Sequence, residues 1–75
     1  MKIKIKLIGP LIYEAGFSEK DIEVPAGTTA GAILHLLAIP EQRPKIVTRN
    51  GNAVALDQVL ADGDRIAVSP IYSGG

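Results

Sequence analysis

The chain predicts an α+β fold, with one main helix packed on one face of a mixed sheet. Three observations carry this. Lys2-Ile3-Lys4-Ile5-Lys6-Leu7 alternates without a fault, the period of a strand with one apolar face. Ala30, Ile33, Leu34 and Leu37 fall at the i, i+3, i+4, i+7 spacing of one helical face. Asn50-Gly51, between two short apolar runs, is a strong hairpin signal, and a last alternating run follows it.

In the first strand Ile3, Ile5 and Leu7 face the core, and Lys2, Lys4 and Lys6 form a solvated row that discourages edge-to-edge association. Gly9-Pro10 breaks it. Leu11 to Gly16 reads as a loop or single turn with Leu11, Ile12 and Tyr13 folded onto the core. A second strand is expected from Phe17 or Ser18 to Val24, ended by Pro25-Ala26-Gly27. Lys4 and Lys6 would face Asp21 and Glu23 across an antiparallel pair. Thr28-Thr29 offers the cap of a helix from Ala30 to Leu37, stopped by Pro40. Ile46 to Arg49 is a third strand, and Ala53 to Leu56 its return. A turn follows with Leu56, Val59 and Leu60 inward. After the tight turn Asp62-Gly63-Asp64, Arg65 to Ser69 is the last strand, with Ile66 and Val68 inward and Pro70 closing it. The first two strands form a hairpin, and the last strand must find the first as its partner. That order describes the β-grasp, or ubiquitin-like, fold. Residues 1–70 are expected to form this domain and residues 71–75 a flexible tail.

Seventy-five residues allow one modest core, and at 47% hydrophobic and 21% charged residues the chain can build it. There is no cysteine and a single histidine, His35, so neither a disulfide nor a His/Cys metal site is available. Eight basic against eight acidic residues leave no excess to bind a nucleic-acid backbone directly. No apolar run approaches the length of a membrane span, and no signal peptide opens the chain, so a cytoplasmic protein is expected.

Catalytic constellations are missing. His35, set among leucines, reads as an ordinary helix residue. Asp62 and Asp64 supply too few oxygens for a calcium site. Gly27 to Gly31 lacks the lysine of a phosphate loop. The chain is therefore expected not to be an enzyme by itself and to bind no cofactor. Its informative feature is Gly74-Gly75. Two residues without side chains can be threaded, extended, into another protein's active site, and their backbone freedom lets the Gly75 carboxylate meet a nucleotide.

Lys2–Leu7, the capped helix, the Asn50-Gly51 hairpin, Leu60-Ala61-Asp62-Gly63-Asp64-Arg65-Ile66 and Ser69-Pro70-Ile71-Tyr72-Ser73-Gly74-Gly75 together resemble the β-grasp sulfur-carrier proteins. These include the small subunit of molybdopterin synthase and the thiamine-biosynthesis sulfur carrier. The excursion from Gly9 to Phe17 looks more like the molybdopterin-synthase subunit. The resemblance implies that a ubiquitin-activating-like adenylating enzyme uses ATP to activate Gly75, which then becomes a thiocarboxylate. A sulfur-accepting synthase, of the molybdopterin synthase large-subunit or thiazole-synthase type, would take the sulfur. Gly74 is the slim penultimate position, and Ser73, Tyr72 and Ile71 are expected to contact the partner. Molybdopterin biosynthesis is placed first. The alternatives are a carrier for thiamine thiazole or tRNA thiolation, a modifier conjugated through Gly75, and a plain β-grasp interaction module.

Overall fold

The structure is a computed structural model that describes residues 1–40 and 42–71. Five strands and two helices follow in the order β1 (Lys2–Leu7), α1 (Leu11–Ala15), β2 (Glu19–Glu23), α2 (Ala30–Leu36), β3 (Lys45–Arg49), β4 (Asn52–Ala53) and β5 (Arg65–Pro70). They make one sheet in the order β2-β1-β5-β3-β4. β1 pairs antiparallel with β2 and parallel with β5, and β3 pairs antiparallel with both β5 and β4. This is the expected mixed β-grasp sheet, with the last strand beside the first.

Period-two alternation decides which face is buried. Ile3, Ile5 and Leu7 of β1, Val47 of β3, and Ile66 and Val68 of β5 join Ala30, Ile33 and Leu34 of α2 and Leu11 of α1 in one core. Each Val, Leu or Ile side chain of this set, taken fully out of water, contributes about 1.5–3 kcal/mol. The opposite face carries the lysines of β1, which meet acidic residues of β2: Lys2 opposite Glu23, Lys4 opposite Asp21, Lys6 opposite Glu19. The charge ladder is as expected in kind, but of the expected set, Lys4 and Lys6 against Asp21 and Glu23, only Lys4 and Asp21 face each other; Glu23 lies opposite Lys2 and Lys6 opposite Glu19.

α2 begins where Thr29 caps it, its side-chain oxygen accepting from the Ala32 amide at 3.2 Å. The neighbouring helix amides find backbone partners in the segment after β4. Ala30 donates to the Gln58 carbonyl at 2.9 Å and Gly31 to that of Leu56 at 2.7 Å. The helix stops in a Schellman arrangement. Ala38 adopts φ +58°, its amide donating to His35 and that of Ile39 to Leu34, both at 3.0 Å. The stop therefore comes before Pro40, and Leu37 is the cap residue rather than part of the last turn.

Four further expectations are corrected. Leu11 to Ala15 forms a short helix, and within it Leu11 is buried but Tyr13 is 88% exposed, because five residues turn only one stripe inward. β4 has two residues rather than four, since the chain leaves β3 after Ala53 to reach the start of α2. Leu56 and Val59 are exposed and only Leu60 is buried, because this segment meets α2 through its backbone. Pro70 is buried and belongs to β5. A proline is tolerated in this central strand because β1 pairing ends at Leu7 opposite Val68, so no ladder bond is lost.

Candidate functional site

The element that most resembles the sulfur carriers, Leu60 to Ile66, is structural. Asp62 accepts from the Lys2 amide at 2.6 Å, and the Gly63 amide donates to the Lys2 carbonyl at 2.8 Å. Gly63 sits at φ +85°, which favours a residue without a Cβ. Leu60 and Ile66 enter the core. Asp64 is 5% exposed and its carboxylate is fully engaged. It accepts from the Ala61 amide at 2.7 Å and the Asn50 side-chain amide at 3.1 Å. Arg49 Nε lies 2.8 Å from it as an ion pair, with its N–H turned off the line of a hydrogen bond. Burial raises the Asp64 pKa, but the Ala61 amide, the Asn50 amide and the Arg49 guanidinium outweigh it and hold the carboxyl below the usual range.

Asn50 links the two turns. It and Gly51 sit at φ +51° and +89°, the pattern of a type I′ hairpin. Its side-chain oxygen accepts from the Arg65 amide at 2.9 Å, and its own amide donates to the Arg65 carbonyl at 2.8 Å. The sequence reading found the hairpin but not this second task, because the partner lies fifteen residues away. These residues fix where β5 starts, and β5 carries the chain to its tail.

Of the expected site residues, Ile71 is described. Its amide donates to the Pro44 carbonyl at 3.2 Å while its side chain is 47% exposed, so the root of the tail is pinned by backbone and open by side chain. Tyr72, Ser73, Gly74 and Gly75 lie outside the described residues. An ion pair between Arg43 and Glu14 ties α1 to the loop before β3 close to Pro44. A shallow depression of about 370 Å³ adjoins the root, lined by Ile71, Pro44, Val47, Val54 and Leu56. On the sheet face away from the helices, Ile8 and Ile46 are exposed and follow the outward parity of their strands. Leu11 is in the core, as expected, and Ile12 is packed against it.

No described group of His, Cys, Asp or Glu side chains is arranged to hold a metal, and no described helix is long and apolar enough to cross a membrane. The described residues thus hold the root of the tail by its backbone and leave the Ile71 side chain open beside it.

Solved structures of other proteins share this fold. SAMP1 from Haloferax volcanii is 28% identical, with 100% of each chain covered and a TM-score of 0.83. A Pyrococcus furiosus protein described as molybdopterin converting factor, subunit 1, is 25% identical over 93% of this chain and 97% of its own, with a TM-score of 0.81. Subunits 1 and 2 of molybdopterin-converting factor from Helicobacter pylori form a complex. The matching chain shares this fold at 20% identity, with 100% of both chains covered and a TM-score of 0.69. The ThiS family matches residues 5–75, nearly the whole chain and both terminal glycines. The chain belongs to the ThiS family of β-grasp, ubiquitin-like sulfur carriers.

Proposed function

We propose that this chain carries sulfur as a thiocarboxylate on Gly75, and that its first destination is molybdopterin synthesis. The observation that carries the reading is the extent of the family match, which runs through Gly74-Gly75. An adenylating partner would join the Gly75 carboxylate to the α-phosphate of ATP, releasing pyrophosphate. Sulfur at the sulfide level, as hydrosulfide, would then attack the acyl carbon, break its bond to the AMP oxygen and leave a thiocarboxylate with AMP as the leaving group. The chain's own part is to be recognised and to deliver an unhindered carboxylate. The anchored Ile71 supports this, because a tail fixed at its root reaches the same distance from the body every time. The Pyrococcus relative supports the molybdopterin branch, and a synthase large subunit would be the acceptor. Tyr72 and Ser73 would line the mouth of the partner's tunnel.

The Haloferax relative, also known as a small archaeal modifier protein, favours a second reading. In it the same adenylate is passed to a lysine of a target protein. Both readings share activation at Gly75 and differ in the nucleophile.

The test is the intact mass of the untagged protein purified from its own host. Exchange of one oxygen for sulfur at Gly75 is expected, and a population joined to other proteins would favour the modifier reading. In parallel, ATP–pyrophosphate exchange is measured with the host's adenylating enzyme. Wild type is expected to support exchange and Gly75→Ala to lose it, since a methyl beside the reacting carbon obstructs the transition state. Equal exchange by the variant would overturn the role of Gly75.

A further inference from the structure

The outer face of the sheet carries its charges in lanes. β2 presents Glu19, Asp21 and Glu23, and β1 answers with Lys6, Lys4 and Lys2. The next strand breaks the alternation. Across the parallel β1–β5 pair, Arg65 stands directly opposite Lys4, and Ala67 opposite Lys6. Like charges on opposed positions work against a sheet. Glu19 meets Lys4 at 3.6 Å from the β2 side, but the residues flanking Arg65 on its other side, Asn50 and Gly51, are uncharged. Among the described residues neither Lys6 nor Arg65 makes an ion pair. Lys4, Lys6 and Arg65 line one shallow depression of about 600 Å³ together with Glu19, Thr48 and Ala67, three cations against one carboxylate.

Toward the tail the same face turns apolar. Ala67 leads to Ser69 along β5, Ile46 lies opposite Ser69 on β3, and Ile8 follows β1. A cationic lane at the start of β5 is thus continuous with an apolar strip that ends at the tail root, roughly 16 Å away along five residues of strand. We propose that the Lys4–Lys6–Arg65 lane reads the charge of the adenylating enzyme, and that the surface it fits presents carboxylates beside aliphatic side chains. The inference rests on the sulfur-carrier reading for the identity of that enzyme, and on the sheet alone for the chemistry. An RNA fits less well. None of the described residues lining the lane is aromatic, so bases have nothing to stack on, whereas the exposed Ile46 and Ile8 beyond it give aliphatic side chains of a protein partner a place to pack.

Charge complementarity of this kind acts on encounter and specificity more than on chemistry. In ATP–pyrophosphate exchange with the host's adenylating enzyme, Lys6→Glu and Arg65→Glu are each expected to raise KM for the carrier roughly tenfold with kcat unchanged. The wild-type KM is expected to rise with salt and the variant KM to respond less. An unchanged KM overturns the proposal. A partner-free arm titrates the labelled protein with a short peptide alternating Glu and Leu, and separately with a uridine oligonucleotide, following backbone amides by NMR. Peptide-induced shifts at Lys4, Lys6, Thr48, Arg65 and Ala67, lost in the double variant, support the lane. Shifts elsewhere, stronger binding of the oligonucleotide, or linewidths that reveal pairing of two copies overturn it. If wild type supports no exchange, the sulfur-carrier reading fails and the peptide arm decides the lane by itself.

Discussion

Asp64 is the buried charged side chain among the described residues, and its surroundings set the sign of its pH dependence. Its folded pKa lies below the unfolded value, so its contribution is present above about pH 4 and is lost as pH falls through the folded value. Asp64→Asn keeps the shape, but it removes the charge that faces Arg49 and replaces one acceptor with a donor. At neutral pH the variant is expected to lose about 2–3 kcal/mol in urea unfolding. The gap to wild type should narrow as pH falls below about 4, because the carboxyl of the unfolded wild-type chain protonates there and that of the folded chain follows at lower pH. An equal gap at pH 7 and pH 3 would mean that packing, and not charge, is what the carboxylate contributes. Asp64 also shows where sequence reading stops. The Leu60 to Ile66 stretch was legible as a turn and as a family resemblance. That its second carboxylate is enclosed by Asn50 and Arg49 was not, because those contacts depend on β3 and β5 being neighbours.

The elements with strong local signals were legible and those set by tertiary contact were not. β1 matches its expected span because six residues alternate without interruption, and α2 starts at its Thr cap. Its end was misplaced because the stop uses an alanine at φ +58°, where sequence normally advertises a glycine. Alanine in the left-handed region is strained by roughly 1–2 kcal/mol. Ala38→Gly is therefore expected to stabilise the domain by up to about 1 kcal/mol, after the added freedom of the unfolded chain is subtracted. Thermal unfolding checks this, and a lower melting temperature would show that the Schellman turn carries no strain. At the other end of the helix the same exchange in reverse should be harmful. A Cβ on Gly31 would sit 3.0 Å from the Leu56 carbonyl oxygen and 3.3 Å from its Cβ, and the 2.7 Å backbone bond between these residues resists retreat. Gly31→Ala is expected to cost about 1–2 kcal/mol net, despite alanine's better helix propensity. The exposed Leu56 and Val59 have the same origin. Apolar residues in a short turn read as inward, yet this segment is held by carbonyls that complete the helix N-terminus.

At the scale of the whole molecule, the proposed function assigns recognition to the body and chemistry to the tail. The buried apolar residues of the described chain run from Ile3 to Val68, and Pro70 and the Ile71 amide close the last strand against Lys45 and Pro44. The described core and the Ile71 anchor lie before residue 72, and the proposed chemistry lies at Gly75. A chain ending at Ile71 is therefore expected to melt within about 2 °C of the full chain, since for a domain of this size 1 kcal/mol moves the midpoint by roughly 4–8 °C. The same truncation should abolish ATP–pyrophosphate exchange. Restoring Gly-Gly directly after Ile71 should not rescue it, because two residues fewer shorten an extended tail by roughly 7 Å and leave the carboxylate short of the nucleotide. Rescue by that shortened tail would mean that the partner reads the glycines without measuring their distance from the body. A fall of more than about 5 °C on truncation would place part of the tail's role in the fold itself, and division of labour between body and tail would have to be given up.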